Sequence, residues 1–139
     1  MRSIKFLLSF LTLLFSATSA LAAPANVVSV NPGFYNDTGA SSTDFVTIAS
    51  NNVTGGTINP PLSGSLQLWV QPGNNAEWRN LSAENGVFNP STNSVAVTIA
   101  QDGGSFSWLI PLSAGQNYMR YKVVDSVSGL VGPETFQEY

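Results

Sequence analysis

The sequence predicts an all-β antiparallel sandwich, and three observations lead there. No segment carries apolar residues at the 3.6-residue period of a helix. Several segments instead alternate apolar and polar residues at period two, which gives a strand one face for a core and a second face for another surface. Clusters of Gly, Pro, Asn and Asp interrupt the chain about every eight to twelve residues, the spacing of short strands joined by tight connections. About seven to nine short strands are expected on that spacing.

The first strand is expected at Asn26-Val27-Val28-Ser29-Val30, closed by Asn31-Pro32-Gly33. A second is expected from Asp44 to Ala49 on Phe45, Val46 and Ile48, ending at an Asn/Gly-rich turn from Asn51 to Gly56. Leu66, Leu68 and Val70 alternate with Gln67, Trp69 and Gln71 before Pro72-Gly73, which makes this the clearest two-faced strand of the first half. A short strand is expected from Glu77 to Leu81, and the Glu84-Asn85-Gly86 turn then leads to Val87-Phe88. Val95, Val97 and Ile99 precede the turn Asp102-Gly103-Gly104, and Phe106, Trp108 and Ile110 follow it, so these two runs read as a hairpin ended by Pro111. The longest strand is expected from Gln116 to Asp125, with Met119, Tyr121 and Val123 on one face and Tyr118, Arg120, Lys122 and Val124 on the other. A last, interrupted strand covers Leu130-Val131 and 135–139.

Residues 1–22 read differently. Arg2 and Lys5 precede an apolar run from Phe6 to Phe15, and small residues end at Ala20-Leu21-Ala22, the three zones of a secretory signal peptide. The apolar run is about ten residues, roughly half of what a spanning helix needs, so no membrane span is expected. With no hydrophobic tail after the last expected strand, no lipid anchor is expected either. Cleavage after Ala22 leaves 23–139 as one domain, large enough for its own core. The location expected is secreted, extracellular or in a cell wall.

The chain of 139 residues has no His and no Cys. That excludes a Ser-His-Asp triad, a Cys nucleophile and a zinc site of the usual kind. With the leader removed, Arg79, Arg120 and Lys122 face eight carboxylates, a net charge of −5. Nucleic-acid binding, which needs a basic stripe, is excluded on that balance. Asp37, Glu84 and Asp102 stand in turn contexts, so no carboxylate pair, metal site or cofactor site is expected, and the domain is read as non-enzymatic.

The candidate binding residues are aromatic. Exposed Trp and Tyr can stack on the apolar faces of sugars while offering a polar edge. Trp69 lies opposite the Leu66, Leu68 and Val70 face, Trp78 sits among Glu77, Arg79 and Asn80, and Tyr118 shares a face with Arg120 and Lys122. Trp69, Trp78 and Tyr118 form the candidate platform, whereas Trp108 is the expected core tryptophan. Arg120 and Lys122 read as a solvated face, or as an anchor for an acidic glycan or protein. Asn36, Asn52 and Asn80 each begin an Asn-x-Ser/Thr acceptor pattern for N-glycosylation.

The second half also resembles a known family. Gly104-Ser105-Phe106-Ser107-Trp108-Leu109-Ile110-Pro111, then Ala114-Gly115-Gln116-Asn117-Tyr118 and Val123-Val124-Asp125-Ser126, is similar to the secreted fungal cell-wall Ig-like family, with Phe136 as its last aromatic. That family includes yeast proteins of β-1,6-glucan assembly and Ser/Thr-rich lipid-anchored wall proteins. The resemblance spans about residues 62–137. It implies an immunoglobulin-like or fibronectin-III-like sandwich and a place at the wall, with polysaccharide or another extracellular protein as partner. It implies no catalytic residue.

Overall fold

Each long strand puts its alternate side chains into one core shared by two sheets. The structure, a computed structural model, describes residues 20–31, 51–73, 76–91, 93–112 and 117–139. The first sheet has the order β1-β2-β8-β7, built from β1 (Val27–Val30), β2 (Asn51–Asn59), β8 (Ser105–Pro111) and β7 (Val97–Ile99). The second has the order β10-β9-β3-β4, built from β10 (Thr135–Glu138), β9 (Tyr118–Asp125), β3 (Leu66–Pro72) and β4 (Arg79–Asn80). A two-stranded hairpin of β5 (Phe88–Asn89) and β6 (Ser94–Val95) stands apart from both. Every pairing between these strands is antiparallel. The division into β1-β2-β8-β7 against β10-β9-β3, with β4 added beside β3, is the A-B-E-D against G-F-C arrangement of an immunoglobulin-like sandwich.

The core follows the alternation. Leu68 and Val70 from β3 and Met119, Tyr121 and Val123 from β9 meet Val28, Ile58, Val97, Phe106, Trp108 and Ile110 from the other sheet. Burying a side chain such as Leu68 completely stabilises the fold by about 1.5–3 kcal/mol. The hairpin through Asp102-Gly103-Gly104 pairs Thr98 with Ser107, as the Gly-Gly signal predicts. Gly103 holds a φ of 72°, and a Cβ there would run into the Leu62 carbonyl, so the turn requires glycine.

The run expected from Val95 to Ile99 is split, because Val95 pairs with Phe88 in the small hairpin and only Val97–Ile99 pair with β8. Leu130-Val131 contributes a single bridge, from Val131 to Val124. Two further elements differ from expectation. Residues 51–56, expected as a turn, open the nine-residue strand β2. Its inward positions are Asn52, Thr54, Gly56 and Ile58, all buried. A polar and glycine-rich inner face hides the strand from a hydrophobic-period reading. Gly56 is there because β1 and β8 close over it: a Cβ would strike the Ser29 carbonyl and come within 2.9 Å of the Phe106 ring. The second difference is at 77–84. β4 is only two residues long and runs into a single helical turn, α1 (Leu81–Glu84), capped by the Asn80 side chain. The expected strand at 44–49 lies outside the described residues, as does most of the segment 1–22.

Candidate functional site

Residues directly opposite in register share a face, so the pairings define the outer surface of the β10-β9-β3-β4 sheet. Trp69 is opposite both Lys122 and Asn80, and Gln71 is opposite Arg120. Arg120 is also opposite Phe136, and Tyr118 is opposite Glu138. With Met119, Tyr121 and Val123 committed to the core, Tyr118, Arg120 and Lys122 face outward. Trp78 joins them from just ahead of β4, since the Lys122 Nζ lies 3.7 Å from its ring centroid. β3 separates β9 from β4, so this contact crosses the strand that carries Trp69.

The three aromatic candidates therefore share one sheet face. None is fully exposed. Trp69, Trp78 and Tyr118 are each half-buried. Trp69 Nε1 is buried and has no hydrogen-bond partner among the described residues. Tyr118 stacks on Phe136, with centroids 5.6 Å apart and an interplanar angle of 26°. Phe136 is 53% exposed. Along β9, Tyr118, Arg120 and Lys122 are spaced by about 7 Å per two residues. The surface thus reads as an aromatic pair at one end, exposed Arg120 in the middle, and the Lys122–Trp78 contact at the other end.

The polar rim is fixed from beneath. Asn80 Nδ2 donates to Gln67 Oε1 at 2.9 Å, and Gln71 Nε2 donates to the Ala76 carbonyl at 2.9 Å. Asn80 Oδ1 accepts from the Ala83 amide at 3.0 Å, capping α1. Ser82 Oγ accepts from the Leu68 amide at 2.8 Å, a donor that β4 is too short to pair. Leu81 lies fully in the core. The tripeptide Asn80-Leu81-Ser82 thus finishes the open edge of β3, and both polar ends of the Asn80 side chain are engaged. The second tripeptide behaves likewise. Asn52 is 1% exposed, leaving no room for a sugar on the folded domain, and Thr54 is buried beside Tyr139. Asn36 lies outside the described residues.

Arg79 is not part of the outer face. It is opposite Val70, on the core side of the sheet edge. Its Nη2 and Nε donate to Glu84 at 2.6 and 3.2 Å, and its guanidinium carbon sits 5.6 Å from the Trp108 ring centroid. An ion pair this exposed contributes under about 1 kcal/mol, so the structural value of Arg79 is mainly the cover it gives Trp108.

Below the platform runs a buried polar chain that sequence reading did not detect. Trp108 Nε1 donates to Tyr121 Oη at 3.2 Å, the Tyr121 and Tyr139 hydroxyls are 2.8 Å apart, and Tyr139 Oη lies 3.5 Å from Thr54 Oγ1. An indole N–H can only donate. Tyr121 therefore accepts from Trp108, and passing its own hydrogen on to Tyr139 satisfies the pair. Burial holds the Tyr121 hydroxyl well above its ordinary pKa and raises Tyr139 also, because a phenolate there would lose its water. The only available signal was the period-two placement of Tyr121 between Met119 and Val123.

Of the three acids expected in turns, Asp102 serves one, Glu84 lies in α1 and pairs with Arg79, and Asp37 lies outside the described residues. Asp102 Oδ1 accepts from the Gly104 amide at 2.9 Å. Asp125 accepts from Ser65 Oγ at 2.6 Å, Ser128 Oγ at 2.8 Å and the Val127 amide at 3.0 Å, bonds that lower its pKa to about 2. No family model, curated protein or solved structure matches this chain. Among the described residues, no helix is long and apolar enough to cross a membrane.

Proposed function

We propose that the chain is a secreted, non-enzymatic immunoglobulin-like domain that associates with a cell wall or extracellular matrix through polysaccharide. The observation that carries this reading is the convergence of Trp69, Trp78 and Tyr118, with Phe136, on one outward sheet face. Flat aromatic groups beside fixed amides suit sugar rings, which offer apolar faces for stacking and hydroxyls for hydrogen bonds. The likeness to the fungal cell-wall Ig-like family favours the same location. Pull-down on insoluble β-glucan and chitin tests the reading. Retention that falls when Trp78 or Tyr118 is replaced by Ala is expected, and absence of retention on any wall polysaccharide would overturn it.

A second reading, a protein-interaction module of effector or adhesin type, has its own support. The β5–β6 hairpin and the residue before it present Val87, Phe88 and Val95 to solvent, at 58%, 56% and 43% exposure. Such apolar side chains suit a protein partner better than a sugar. Phe88→Ser separates the two: it leaves polysaccharide retention intact in the first case and abolishes partner capture in the second.

A further inference from the structure

We infer that the outer face of the β10-β9-β3-β4 sheet selects acidic polysaccharides, with Arg120 and Lys122 receiving sugar carboxylates between the aromatic groups. This rests on the polysaccharide reading above and specifies its ligand class. Of the three cations that follow the leader, Arg79 is taken by Glu84 at the sheet edge. The other two lie side by side on the outer face of β9, about 7 Å apart along the strand. Their cross-strand neighbours are neutral: Gln71 and Phe136 flank Arg120, and Trp69 is opposite Lys122.

The carboxylates nearest in sequence register are Glu138, opposite Tyr118, and Glu134, which precedes β10. Neither Arg120 nor Lys122 forms an ion pair among the described residues. Lys122 instead rests on the Trp78 ring, and Arg120 is exposed. Among the described residues, Arg120 and Lys122 are thus the two cations outside an ion pair, and both lie within the aromatic face.

Each part of that arrangement matches a part of a uronic-acid polymer. The guanidinium presents a planar fork of donors, which a carboxylate accepts through both oxygens. Tyr118 lies one rung from Arg120 on one side, with its stacking partner Phe136 on Arg120's own rung, and the Lys122–Trp78 contact lies one rung on the other. A sugar chain crossing them can stack its rings while placing a carboxylate at Arg120. A neutral glucan would fill only the aromatic part and leave the cations without a partner.

Affinity electrophoresis of the whole secreted protein through gels containing polygalacturonate, its fully methyl-esterified form, or a soluble β-glucan tests the inference. The two galacturonan forms share a backbone and differ in charge. Retardation by polygalacturonate is expected, with about tenfold weaker binding to the esterified polymer and for Arg120→Gln, and weakening at 0.5 M salt. Arg120 is exposed, so the variant keeps the fold, which circular dichroism verifies. Equal retardation by both galacturonan forms, full affinity in Arg120→Gln, or retardation by β-glucan alone overturns the acidic selectivity but leaves the polysaccharide reading standing. No retardation by any of the three polymers overturns the acidic selectivity, and together with no retention on insoluble β-glucan and chitin it overturns both.

Discussion

Replacing Tyr121 by Phe removes one oxygen atom and tests how the two sheets are locked together. Tyr121 is fully buried, and its hydroxyl is the shared partner of Trp108 Nε1 in the first sheet and of Tyr139 Oη after β10. Each net hydrogen bond lost costs about 1 kcal/mol, and a buried donor left without a partner costs about 1–3 kcal/mol. Trp108 is 1% exposed, so water cannot replace the lost acceptor. The ring stays, so little cavity term is added. The expected loss is about 3 kcal/mol, or about 10 °C in Tm for a domain of this size. Urea unfolding followed by far-UV circular dichroism at pH 7 measures it, with the slope m unchanged. The double variant Trp108→Phe/Tyr121→Phe should fall short of the sum of the single losses by about 1 kcal/mol or more. A loss under about 0.5 kcal/mol in Tyr121→Phe, or strict additivity in the cycle, would refute the idea that the hydroxyl chain ties the sheets together.

Further outcomes follow from the same geometry. Because burial raises the Tyr121 and Tyr139 pKa values, the unfolded chain releases their protons first, so stability holds below about pH 10 and falls as pH rises past it. Tyr139→Phe should flatten that alkaline limb in a pH series of Tm values. Asp125 has the opposite sign: its lowered pKa stabilises the fold above the ordinary carboxylate value, and that contribution disappears as pH falls from 3.8 toward about 2. Asp125→Asn should therefore lose part of the acid limb of the stability profile while keeping the alkaline one. Gly56→Ala should cost about 1–3 kcal/mol through overpacking against β1 and Phe106, read from the urea midpoint. Asn80→Ala removes the α1 cap and the Gln67 bond together, and should cost about 1–2 kcal/mol in the same assay.

Much of the sandwich was legible because it is written at period two. In β3 and β9 the apolar residues Leu66, Leu68, Val70, Met119 and Val123 mark one face without ambiguity, and the Gly103-Gly104 turn joins β7 to β8 where its chemistry requires. β2 was not legible. Its inward residues Asn52 and Thr54 are polar and Gly56 has no side chain, so the strand exists only because β1 and β8 pair with it on either side. The pattern Asn80-Leu81-Ser82 was equally ambiguous: as a string it is a glycosylation acceptor, and in the fold it caps a helical turn, fills the core and satisfies a strand amide.

For the candidate site the division is similar. Alternation alone put Trp69 on the β3 face away from the core, and Tyr118, Arg120 and Lys122 on one face of β9, since the pleat sends successive side chains to opposite sides. The sequence could not say that those two strands are neighbours, because residues about fifty positions apart meet only through sheet pairing. The tertiary structure decided that Trp69 lies opposite Lys122, that Trp78 folds back onto it, and that Phe136 stacks on Tyr118. It also withdrew Arg79 to the sheet edge, leaving Arg120 and Lys122 as the positive charges of that face among the described residues. Composition and periodicity are local and survive in the string, whereas register is a non-local choice made by the core as it closes.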